Sequence, residues 1–85
     1  MDIKELRNEI DKLDSEILKL FIRRKELSRD IALWKKTEGK AIFDPVREQE
    51  KLSAITIESG EAMEEYSTEL WRELMRLSRK YQEQI

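Results

Sequence analysis

Ile3, Leu6, Ile10, Leu13, Ile17, Leu20, Leu27, Ile31 and Trp34 fall on a three-and-four rhythm, the spacing of an apolar stripe along one face of a helix. The one beat without an apolar side chain falls on Arg24. Residues 4 to 36 hold neither Gly nor Pro, so the pattern predicts one helix over about 4–36, roughly 48 Å long at 1.5 Å per residue. Thr37 to Phe43 contain a Gly and lose the period, which predicts a loop over 37–43. Asp44-Pro45 then supplies an N-cap and a residue whose fixed φ suits the first helical position. A short helix follows over about 45–57, with Val46, Leu52, Ile55 and Ile57 as its apolar positions. Ser59-Gly60 closes it, and Met63, Tyr66, Leu70, Leu74, Leu77 and Tyr81 predict a third helix over about 61–84. No strand pattern and no internal repeat is present. The fold class is all-α, with one long, one short and one medium helix.

A globule of 85 residues has a radius of gyration near 12 Å, hence a diameter of roughly 30 Å. The first helix overshoots that size, and the rest of the chain is too short to cover its stripe. The simplest cover is the same helix of a second copy, giving an intertwined homodimeric helical bundle. Small chains lean on disulfides, metals or self-association, and with no Cys and no His the first two supports are closed. The same composition removes thiolate nucleophiles, imidazole relays and the usual zinc ligands. Carboxylates, Lys, Arg, hydroxyls and amides remain, so the chemistry is run by electrostatics and positioning, with no metal or cofactor. Seventeen basic and nineteen acidic residues are interspersed for a net charge of −2, which gives no general nucleic-acid surface. No run of about eighteen apolar residues is present and the N-terminus is polar, so the reading is a cytoplasmic domain without a membrane segment. It is read as a single domain, complete without a linker at either end.

A guanidinium in an apolar seam must be paired or must bind an anion, because an uncompensated buried charge costs several kcal/mol. Lys35 lies eleven residues after Arg24, which places it only about 20° away around the axis and roughly 16 Å further along. Two long cations on one face suit a small dianion. Glu48 stands one turn before Leu52 and extends that stripe with a carboxylate, and Ser78 and Gln82 continue the stripe begun by Trp71 and Met75. Each admits a plainer reading. A heptad Arg also serves as a register device or snorkels to solvent, Lys35 also complements a helix C-terminus, and Asp44 and Glu48 also suit a helix start. Arg7 alone reads as a solvated flank residue, and Ser78 and Gln82 alone carry almost no signal. The coincidence of three helices interrupting their core faces with polar groups favours a binding pocket.

Leu6-Arg7 with Ile10, Leu13-Asp14 and Ile17-Leu18, then Arg24-Lys25-Glu26-Leu27, Lys35 and Asp44-Pro45-Val46-Arg47-Glu48 together resemble the all-helical chorismate mutase family, the AroQ class. The resemblance covers essentially the whole chain, with Ser78 and Gln82 joining it from the third helix. Between Arg23 and Arg24, the heptad independently selects Arg24 as the inward residue.

The resemblance implies three-helix protomers wound into a dimer and an intramolecular [3,3] rearrangement of chorismate to prephenate, which leads to phenylalanine and tyrosine. By it, Arg24 and the Arg7 of a second chain would hold the substrate carboxylates, helped by Ser78. Lys35 and Gln82 would hydrogen-bond the ether oxygen where negative charge develops. Glu48 would accept from the ring hydroxyl beside the backbone N–H of Asp44, with Arg47 orienting that acidic corner. The same fold also serves isochorismate-pyruvate lyases, which lack the acidic Asp-x-x-Arg-Glu corner present here at Asp44 and Glu48. A non-enzymatic helical dimerisation module and a regulatory domain detached from a fused enzyme are the remaining alternatives.

Overall fold

The computed structural model describes residues 2–85, which form three helices and no strand. They are α1 (Ile3–Glu38), α2 (Pro45–Ser59) and α3 (Glu64–Gln82). The Asp2 side chain caps α1 by accepting from the Glu5 N–H at 2.9 Å. Gly39, at φ 67°, ends it in the left-handed region, and the Lys40 N–H donates back to the Lys35 carbonyl at 2.8 Å. Asp44 caps α2 through the Arg47 N–H at 3.0 Å.

The third helix starts three residues later than the expected 61, because 61–63 form a turn in which the Met63 N–H donates to the Gly60 carbonyl. None of Glu61, Ala62 and Met63 offers a good capping side chain, and Met63 at the cap position makes no side-chain hydrogen bond. Within α3, the Thr68 hydroxyl lies 3.2 Å from the Thr56 hydroxyl of α2. Ile57, expected among the apolar positions of α2, is 82% exposed. Two residues after Ile55 on a helix lie roughly 200° away, so both cannot face the core.

The helix α3 is the hub, packing against both α1 and α2, which do not pack on each other. The buried apolar side chains are Ala32, Leu52, Ile55 and Met75, accompanied by Ser28 and Gln82. At about 1.5–3 kcal/mol for each large side chain, this core is small for the chain. The radius of gyration is 15.9 Å and the extents are 54 × 27 × 15 Å, far from the radius of about 12 Å of a compact globule this long.

All nine seam residues remain 45–70% exposed. In the second half of α1, the face on α3 is that of Arg24, Ser28, Ala32 and Lys35, whereas Leu27, Ile31 and Trp34 lie roughly 20–80° to the other side of Arg24. In the first half, nothing else among the described residues covers the stripe, and every residue from 3 to 20 is exposed. No helix among the described residues is long and apolar enough to cross a membrane.

Candidate active site

The polar interruptions converge on the last turns of α3. Arg24, half-buried on α1, donates from Nη1 to Ser78 Oγ at 3.2 Å. Ser78 Oγ lies 2.9 Å from Ser28 Oγ, and Gln82 donates from Nε2 to the Ser28 backbone carbonyl at 3.0 Å. Gln82 is only 7% exposed, so its amide is fixed by that bond. An amide nitrogen has two N–H donors, and only one of them is engaged by the Ser28 carbonyl. Ser28 escaped the sequence reading, although its spacing of four from Arg24 places it on the same face.

Burial lowers the pKa of the Arg24 guanidinium from its ordinary value, through desolvation. Among the described residues no carboxylate lies within ion-pair distance of Arg24; its partner is a neutral hydroxyl. A desolvated cation paired only with a hydroxyl has unused capacity for an anion.

Two further clusters border this one. Lys35, partly buried in the last turn of α1, donates from Nζ to the Ile42 carbonyl at 2.6 Å, which ties the 40–44 loop to α1. On the first turn of α2, Glu48 is gripped through both carboxylate oxygens by Nη1 of Arg79 on α3. The Arg79 guanidinium carbon lies 5.1 Å from the Phe43 ring centroid, within cation–π reach. Arg47, expected to orient this acidic corner, is exposed, and Arg79 is the residue brought against Glu48. It was hidden beside Ser78, and its partner is 31 positions away in sequence.

Arg7 sits exposed in the first turns of α1, roughly 25 Å along the axis from Arg24, so it cannot reach the Arg24 of its own chain. Several of these residues border two open grooves. One, of about 400 Å³ between α1 and α3, takes in Arg24, Ser28, Ser78 and Tyr81. The other, of about 450 Å³ along α2 and α3, takes in Glu48, Leu52, Met75 and Arg79. Lys35 and Gln82 line neither groove.

The fold and these groups define an all-helical protein whose inward-facing cations, amide and hydroxyls suit a small anionic ligand. Residues 6–83 match the family model described as chorismate mutase type II, and the chain belongs to that family. It is 43% identical over 47 residues to a chorismate mutase of Methanocaldococcus jannaschii, covering 55% of this chain and 48% of that one. It is 40% identical over 60 residues to a T-protein of Haemophilus influenzae, covering 71% of this chain and 16% of that one. The chain thus spans under half the length of either relative. No solved structure matches it.

Proposed function

We propose that the chain is a homodimeric chorismate mutase, converting chorismate to prephenate by an intramolecular [3,3] rearrangement without a covalent intermediate or cofactor. The observation that carries the reading is Arg24: a half-buried, desolvated guanidinium held by a hydroxyl, with no carboxylate in ion-pair range. Such a group is ready for one carboxylate of a dianionic substrate, with Ser78 beside it. Arg7 of a second chain meets the other carboxylate. Lys35 and the free N–H of Gln82 stabilise the ether oxygen as its bond to the ring breaks and negative charge gathers there. Glu48 accepts from the ring hydroxyl, near the Asp44 N–H. Holding the compact conformer removes much of the entropic part of the barrier, because the bonds that break and form lie within one molecule.

The dimer is supported by the exposed seam of α1, by the distance of Arg7 from the rest of the site, and by grooves that a single chain leaves open. The proposal includes a cytoplasmic setting, with which a chain without Cys agrees. Loss of chorismate absorbance on mixing, with prephenate identified after acid treatment and Arg24→Ala near background, is the expected result. A folded dimer that leaves chorismate untouched sinks the reading, and isochorismate is then the next substrate to assay.

A further inference from the structure

Glu48 has a place in the reaction scheme above, but the Arg79 guanidinium that grips it has none. In the proposed arrangement Glu48 accepts from the ring hydroxyl, and a bare anion there opposes the approach of a dicarboxylate. Arg79 cancels that charge locally. Its Nη1 meets both Glu48 oxygens, which uses about two of the roughly four lone-pair sites of a carboxylate, so Glu48 keeps capacity to accept from a hydroxyl. The pair is partly withdrawn from water, with side-chain exposures of 31% for Arg79 and 22% for Glu48. The same guanidinium lies over Phe43, while Lys35 holds the neighbouring Ile42 carbonyl. Two cations from two helices thus tether the 40–44 loop and Glu48 to one another. The other arginines of that groove differ: Arg76 is committed to Glu73 one turn back, and neither it nor Arg72 touches Glu48.

We propose that Arg79 is a positioning residue of the site, which holds the Glu48 carboxylate in place and screens it so that a dicarboxylate substrate can bind beside it. The proposal rests on the mutase reading. A partly exposed ion pair between helices adds little stability, so a merely structural role predicts a small change in melting temperature and nothing else. Arg79→Gln keeps an amide donor for Glu48 and removes the charge. Unscreening one unit charge beside a bound carboxylate, at an effective dielectric of roughly 40, weakens binding on the order of tenfold.

The experiment measures KM and kcat for chorismate in the parent, Arg79→Gln, Arg79→Lys, Glu48→Gln and the double Glu48→Gln/Arg79→Gln, with circular dichroism verifying helicity in each. The expected result is a KM about tenfold higher in Arg79→Gln with a smaller change in kcat, most of the loss recovered in Arg79→Lys, and less than about a twofold KM effect of Arg79→Gln once residue 48 is neutral. A KM within about twofold of the parent in Arg79→Gln overturns the proposal. So does an equal KM rise whether or not residue 48 is charged. A parent chain that does not turn over chorismate fails before any substitution, and defeats the mutase reading together with this inference.

Discussion

Changing Gln82 to Glu replaces one heavy atom and tests the developing-charge argument directly. In the parent, one amide N–H is spent on the Ser28 carbonyl at 3.0 Å and the second is the donor proposed for the ether oxygen. An ionised Glu has neither donor and sets a negative charge against both a carbonyl and the developing oxyanion. The site is 7% exposed, so desolvation and the facing carbonyl both raise the pKa of the new acid above its unfolded value of about 4.3. The folded state then holds its proton more tightly than the unfolded state. Stability is therefore full below the unfolded value and falls as pH rises toward the raised folded value, above which the loss is constant.

The loss at neutral pH combines an unpaired buried acceptor, about 1–3 kcal/mol, with about 1.4 kcal/mol for each unit of pKa elevation. Turnover at neutral pH should drop by on the order of 10² to 10³ relative to the parent, the effect of losing one oxyanion donor. In acid the protonated Glu offers a single O–H, which serves Ser28 or the ether oxygen but not both, so recovery is partial. The assay is kcat against pH, from mildly acidic to neutral, for Gln82→Glu and the parent in parallel, with thermal melts at each pH. A ratio of variant to parent rates that does not change with pH refutes the reasoning.

Three further outcomes follow from the same structure. Arg24→Leu should hold or raise the melting temperature by the equivalent of about 1 kcal/mol, since a desolvated charge is replaced by an apolar side chain, while abolishing chorismate turnover; a destabilised but active variant contradicts the role given to Arg24. Lys35→Ala should cut kcat by about 10²-fold or more, and a change confined to KM, read from steady-state kinetics, would remove Lys35 from the stabilisation of the ether oxygen. Ile10→Asp, at a seam position 55% exposed in the single chain, should convert the dimer to monomer in sedimentation runs and abolish turnover; a variant that stays dimeric would show that the seam is not the contact between chains.

The parts of the fold that were legible in the sequence are those decided locally. Asp44-Pro45 marked the start of α2 because cap and fixed φ are properties of adjacent residues, and the Gly39 turn ended α1 for the same reason. The start of α3 is not legible because no side chain there caps or otherwise commits the backbone. Ile57 was misjudged because an apolar residue was counted without its angle. Among the polar residues, the stripe logic located Arg24, Lys35, Glu48, Ser78 and Gln82 on inward or partly covered positions. It missed Ser28 and Arg79, whose partners lie 50 and 31 positions away. Periodicity identifies a face, but it does not say which neighbour the face meets, and the sequence alone does not tell that Arg79 rather than Arg47 meets Glu48.

The uncovered first half of α1 also separates two kinds of order that usually coincide. Residues 3 to 20 make a helix with no tertiary partner in their own chain, and an isolated helix of that length is marginal in water. Their backbone amides should therefore exchange hydrogen with solvent at a rate set by protein concentration. Amides around Leu52, Ile55 and Met75 should be far less dependent on it. Hydrogen exchange followed across a dilution series would read assembly from one end of α1 and folding from the core, within a single molecule.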